Sequence, residues 1–181
     1  WVYWNSVVFF VIIVTTLVVF MAKYKRRGPD DVTSSVSHNM RLEIIWTVIP
    51  SVIVIALFFV GLAGWVNAQV PPTNAYEIQV TAQKWSWTFT YPNGTVSPGL
   101  LVVPKDRPVK LVMSSRDILH SFYVPEFRVK QDAVPSMYTT LWFEATRTTE
   151  TALLCTEYCG TGHSDMLATV AVLEPEKFDE W

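Results

Sequence analysis

Cys155-Thr-Glu-Tyr-Cys159-Gly-Thr-Gly-His163-Ser-Asp-Met166 holds both cysteines of the chain and one of its three histidines, with a thioether at its end. Gly160 and Gly162 keep this stretch from continuing as a regular helix, so it reads as a loop able to wrap around an ion. Two thiolates, an imidazole and a Met sulfur make a soft donor set, which selects copper or zinc over hard cations. A further strong ligand is needed, and only His38 and His120 remain. His120 follows a strand-like run, Val109 to Met113, whereas His38 lies between two hydrophobic spans, so His120 is the better placed. Three other readings compete: a disulfide, a structural zinc held as Cys2His2, and a pair of buried thiols. A Cys-x-x-x-Cys bridge closes a very small loop with demanding geometry and leaves His163 and Met166 unexplained. Zinc would leave Met166 as mere packing. Copper is therefore the expectation, and with two thiolates two copper ions can share them as bridges.

Half of the 181 residues are hydrophobic, and 14 basic against 16 acidic residues give a net charge of −2. The apolar excess sits at one end. No charged residue occurs from Val2 to Ala22, nor from Ile44 to Tyr76. About 20 apolar residues cross a hydrocarbon core of about 30 Å, so the first run and the second as far as about Val66 read as two transmembrane helices. A signal peptide would start basic and end in small residues, and the first run does neither. With no initiator Met before Trp1, residues upstream are expected. Trp1, Tyr3, Trp4 and Tyr24 fit interfacial anchors. Lys23-Tyr-Lys-Arg-Arg27 abuts the first span, and the positive-inside rule places it in the cytoplasm, with both chain ends on the other side. Binding of this cluster to anionic lipid head groups predicts the same orientation. Outside the cytoplasm, paired free thiols face oxidation unless a metal or a partner holds them, which favours the metal.

Glu43 falls in the first turn of the second span, where the helix N-terminus favours a carboxylate; a proton donor or acceptor at the membrane edge is the functional alternative. Gln69-Val-Pro-Pro-Thr-Asn reads as a linker, dividing a two-helix hairpin (1–69) from an extracytoplasmic domain (70–181). Beyond it, Tyr76 to Ala82, Trp85 to Tyr91, Leu100 to Val103, Val109 to Met113, Tyr138 to Ala145, Ala152 to Cys155 and Leu167 to Leu173 read as strands. Turns such as Pro92-Asn-Gly94 and Lys105-Asp-Arg-Pro108 separate them, which predicts an antiparallel sandwich or Greek-key barrel. Trp85, Trp87, Phe89 and Tyr91 share one face by the period of two. Phe89 and Tyr91 are expected in the core, while rings at the surface can dock a partner and receive electrons.

Taken together, Leu42-Glu-Ile-Ile-Trp-Thr-Val-Ile-Pro50, Lys84-Trp-Ser-Trp87, Ser115-Arg-Asp-Ile-Leu-His120-Ser-Phe, Lys130-Gln-Asp-Ala-Val-Pro135 and the final Cys/His/Met loop resemble subunit II of cytochrome c oxidase, from the first helix to the last strand. The resemblance implies a membrane-anchored all-β protein, two transmembrane helices followed by a cupredoxin-like Greek-key barrel. It implies the binuclear copper centre CuA: Cys155 and Cys159 bridging two coppers, His120 and His163 as terminal ligands, and Met166 and the Glu157 carbonyl as weak ones. The Glu157 carboxylate would reach a magnesium ion shared with subunit I. Trp85 matches the ring that receives electrons, and Glu43 the carboxylate at the mouth of a proton path.

On this reading the chain belongs to a proton-translocating terminal oxidase. It takes electrons from a c-type cytochrome, and subunit I, whose hemes and second copper reduce dioxygen to water, receives them; subunit III is a further partner. The setting is a bacterial plasma membrane in preference to a mitochondrial inner membrane, with the copper domain periplasmic and no nucleic-acid partner. A quinol oxidase subunit II, which lacks the copper ligands, and a stand-alone electron-transfer protein or copper chaperone are the alternatives. Two departures concern the donor. The family's usual Gln-Trp-Tyr-Trp is here Lys84-Trp85-Ser86-Trp87, with no acid from Thr88 to Leu100, and Arg116 stands before Asp117 where a second acid is common. Weak attraction for a lysine-ringed soluble cytochrome is expected, and with it a donor that docks through apolar contact at Trp85 and Trp87 or is tethered in a larger assembly. Asp117 and Asp132 are the acids that could rebuild a charged patch.

Overall fold

The computed structural model describes residues 1–32 and 34–181. The chain divides into two compact units, Trp1–Val52 and Ile53–Trp181. In order along it are α1 (Val2–Lys23), α2 (Met40–Gln69), β1 (Tyr76–Gln83), β2 (Ser86–Thr90), β3 (Val96–Pro98), β4 (Leu100–Pro104), β5 (Pro108–Ser115), β6 (His120–Val124), β7 (Val129–Ala133), β8 (Thr139–Glu144), β9 (Thr149–Cys155), β10 (Leu167–Leu173) and α3 (Pro175–Glu180).

α1 has 22 residues and is about 33 Å long at 1.5 Å per residue, which matches the hydrocarbon thickness. α2 has 30 residues and begins four residues before the expected span, because Asn39 caps it. The Asn39 Oδ1 accepts the Leu42 N–H at 3.2 Å, and Glu43 Oε1 accepts the Asn39 N–H at 3.1 Å. This reciprocal pair occupies amide donors that the first helical turn leaves without backbone partners. No described side chain of either helix is buried within the chain. Two uncovered apolar helices of these lengths form a membrane anchor.

The β domain has two five-stranded sheets, in the orders β3-β2-β1-β5-β8 and β4-β10-β9-β6-β7. Strict alternation along β5 puts Val109, Leu111, Met113 and Ser115 inward, and β1 does the same with Ile78, Val80 and Ala82. From the other sheet Leu101, Val103, Phe122, Val124, Leu153, Val170 and Val172 complete the core. The expected sandwich is there, but not every pairing is antiparallel. β1 runs parallel to β5, and β4 parallel to β10, through crossovers that join distant parts of the chain. Strands β3, β6 and β7 were not anticipated from the residue pattern. Trp85 precedes β2 instead of opening it. Trp87 corrects one expectation outright: it is fully buried, packed edge-on against Phe122 at 5.7 Å, and cannot touch a docking partner.

Candidate metal centre

Two strands and one hairpin loop bring the donors together. β6 pairs antiparallel with β9, Phe122 opposite Cys155. His120 is two residues before Phe122 and so shares its face, which directs the imidazole to the end of β9 where Cys155 sits. The loop leaves β9 at Cys155, is pinned where the Thr156 N–H meets the Ser121 carbonyl at 3.0 Å, passes through a short 3-10 turn at His163–Asp165, and returns as β10 just after Met166. β9 and β10 are themselves paired, with Leu167 opposite Leu154, so both ends of the loop are fixed by one ladder.

Four donors gather around the two cysteine sulfurs, making six in all. Cys155 Sγ lies 3.9 Å from His120 Nδ1 and 3.3 Å from the Glu157 carbonyl oxygen. Cys159 Sγ lies 3.5 Å from His163 Nδ1 and 3.9 Å from Met166 Sδ. The sulfurs are 3.8 Å apart, and both cysteines are free. A bridged pair would require about 2.05 Å, so the disulfide alternative does not describe this arrangement. His120, Cys159 and Met166 are fully buried and Cys155 nearly so. Burial pushes the Cys159 thiol up, and the neighbouring Cys155 adds to it. The raised Cys159 thiol gives up its proton when a cation compensates the charge, so this donor set suits a soft metal ion. His38 is exposed and belongs to the N-terminal unit.

Asp117 plays a role here that the sequence did not reveal. Its Oδ1 accepts from His120 Nε2 at 2.8 Å and from the Ile118 N–H at 2.7 Å, and its Oδ2 accepts the Lys84 N–H at 2.7 Å. Partial desolvation raises this carboxyl, but the donors from His120, Lys84 and Ile118 outweigh it and hold the group well below the usual carboxylate range. A carboxylate on Nε2 fixes the tautomer and leaves Nδ1 free to face the sulfurs, the arrangement of metal-bound histidines. Asp-x-x-His at the start of a strand is the sequence signal for it. Trp87 stands edge-on to His120 at 6.2 Å and closes the core side.

Trp85 is 40% exposed, and its Nε1–H donates to the Cys159 carbonyl at 3.1 Å. The exposed Tyr158 meets His163 edge-on at 5.8 Å. Glu157 is half-buried. Glu43 belongs to the N-terminal unit, where it caps α2.

Residues 2–63 match the transmembrane domain, and residues 96–173 the periplasmic domain, of cytochrome c oxidase subunit II. Cytochrome c oxidase subunit 2 of Thermostichus vulcanus is 30% identical, over 95% of this chain and 69% of its own length. The chain belongs to the cytochrome c oxidase subunit II family. The subunit 2 of Alkalihalophilus pseudofirmus is 32% identical over the whole chain, which spans 57% of that relative. The crystal structure of the periplasmic domain of subunit II from Bradyrhizobium japonicum superposes with a TM-score of 0.59 at 26% identity, covering 62% of this chain and 94% of that one. The two-sheet domain described above is thus the periplasmic, cupredoxin-like domain of the subunit II family. Its His120, Cys155 and Cys159, whose ligand atoms lie within 4.8 Å of one another beside Met166, suit a CuA-type copper site.

Proposed function

We propose that this chain is the electron-accepting subunit of a proton-pumping terminal cytochrome c oxidase. The observation that carries the reading is the convergence of four further donors on two buried free thiols, within a domain of the subunit II family. Cys155 and Cys159 would hold two copper ions as bridges, His120 and His163 would complete them, and Met166 and the Glu157 carbonyl would be the weak ligands. When bound, such a copper pair would supply a one-electron store.

The chain's own residues do the rest. Asp117 holds His120 in the tautomer that presents Nδ1. Buried Trp87, Phe122 and Met166 keep water from the core side of the site. Trp85 receives electrons from a c-type cytochrome, supported by its exposed ring and its bond to the carbonyl of a ligand cysteine. With Lys84 beside it and Asp117 tied to His120, the docking contact is mainly apolar or maintained by a tether, and it involves Trp85 without Trp87. The Glu157 carboxylate would be this chain's ligand to a magnesium ion shared with subunit I, and Glu43 would assist proton uptake from the cytoplasm. Residues 1–69 form the membrane hairpin and 70–181 the periplasmic domain, in a bacterial plasma membrane. Subunit I carries the hemes and reduces dioxygen, and subunit III completes the assembly. A quinol oxidase subunit II would not need the six donors.

The test is extraction in mild detergent with a tag on this chain. A heme-bearing integral subunit should co-purify in equal amount, and the preparation should oxidise a c-type cytochrome. A copper-loaded chain that emerges alone from every mild extraction would instead identify a stand-alone electron carrier.

A further inference from the structure

Gly162 has φ −92° and ψ 18°, a conformation open to any L residue, so the backbone itself does not demand glycine there. Gly160, at φ 112°, is different, because its backbone alone would strain a side chain. What reserves position 162 is the ring of Trp85. A Cβ on Gly162 would stand 2.4 Å from Cδ2, 2.7 Å from Cε3 and 2.8 Å from Cγ of that indole. At Gly160 the nearest ring atoms would be Cζ2 at 3.4 Å and Nε1 at 3.6 Å. The indole therefore lies across the bare backbone of both glycines, its Nε1–H bonded to the Cys159 carbonyl at 3.1 Å. The indole carbons nearest Gly162 belong to one rigid bicycle, so a methyl group there could be accommodated only by moving the whole ring.

We propose that Gly162 is a positioning residue for Trp85: the absence of a side chain there seats the indole against the loop segment that runs from Cys159 to His163. The inference rests on the reading of Trp85 as the electron-receiving ring. Any residue other than glycine lifts the ring by about 1 Å, the distance between 2.4 Å and ordinary van der Waals contact, and breaks its bond to Cys159. Since φ at 162 tolerates alanine, Gly162→Ala leaves the loop backbone and its donors in place and moves the ring alone.

The experiment compares the assembled oxidase with Gly162→Ala, Trp85→Phe and the double variant. Copper content and the paramagnetic resonance spectrum are unchanged in Gly162→Ala. Hydroxyl-radical oxidation of Trp85, read by mass spectrometry, rises severalfold as the ring leaves its seat. Reduction of the copper site by a soluble lysine-rich c-type cytochrome slows by about ten- to a hundredfold, the scale on which an ångström of misplacement acts. Reduction by hexaammineruthenium(II) is unaffected. In the Trp85→Phe background the alanine adds nothing, because the two positions act as one unit. An unchanged Trp85 oxidation pattern, or an equal further loss in the Trp85→Phe background, would overturn the proposal. If Gly162→Ala loses copper, Trp85→Ala in the same chain decides: recovered copper shows the ring to be the obstacle, and continued loss refutes the seat. Should Trp85→Phe itself leave cytochrome-driven reduction unchanged, the electron-receiving role falls, and the oxidation pattern alone still judges whether Gly162 seats the ring.

Discussion

The Tyr91 hydroxyl donates to the Val102 carbonyl at 2.9 Å and accepts the Val102 N–H at 2.7 Å, while its ring is buried in the core. Burial pushes the phenol up to about 12, with the Val102 bond opposing in part. Because the folded value lies above the ordinary one of about 10, the neutral phenol's contribution is fully present below pH 10 and is lost as pH rises toward 12. The amount at stake is about 2–3 kcal/mol. Tyr91→Phe is expected to lower stability by about 1–3 kcal/mol at neutral pH, since the Val102 pair loses its partner, and to flatten the alkaline fall. Urea midpoints from pH 8 to 11 test this, and parallel curves for the two proteins would contradict it. Asp117 is the residue whose part was least legible beforehand. Its charge invited a surface role, and only the turn from Ser115 to His120, closed by the bond from the Ser115 hydroxyl to the Ile118 carbonyl, aims the carboxylate at the imidazole. Four of the six donors, both thiols, His163 and Met166, are legible because they stand in one short loop of a chain with few soft ligands; His120 follows from its place after a strand-like run, and the Glu157 carbonyl only from the family resemblance.

At the scale of elements, α2 begins with a cap in which Glu43 is a working member. This separates two contributions that one substitution resolves. Glu43→Gln keeps an oxygen that can accept the Asn39 N–H, so the helix and the copper content stay as they are while the titratable group is gone. Turnover of the oxidase is expected to fall severalfold at every pH from 6 to 9. Unchanged turnover would assign Glu43 to the helix alone. Both helices were evident from uninterrupted apolar runs, and the long alternating strands β1 and β5 from their period of two. β6 and β7 leave little trace in the residue pattern for a physical reason. β7, Val129–Ala133, has three polar residues in five, and its place is set by the antiparallel register with β6, not by local preference. β6 in turn is defined by long-range pairing with β9. The parallel pairings β1–β5 and β4–β10 were hidden likewise, since partner choice between distant strands leaves no local trace.

For the molecule as a whole, charge decides how a donor arrives. Complementary surface charge raises association rates by about 10 to 1,000-fold, and salt removes the gain because the Debye length is about 8 Å near physiological ionic strength. Lys84 precedes Trp85, the chain carries no acid from Thr88 to Leu100, and Asp117 is engaged by His120, Lys84 and Ile118. Oxidation of a basic soluble cytochrome c is therefore expected to depend only shallowly on salt, by less than about threefold between 20 and 200 mM, against the steep fall that steered association shows. A steep fall would mean that acids elsewhere, Asp132 among them, rebuild a docking patch. The central claim, that one loop and one strand start hold a bridged copper pair, is tested most directly by metal analysis with electron paramagnetic resonance on the purified protein and on Cys155→Ser. The account predicts two copper ions per chain and a hyperfine pattern from one unpaired electron shared by both nuclei, abolished in Cys155→Ser. One zinc ion without copper, or the pattern of a single copper nucleus that survives the loss of Cys155, would contradict it.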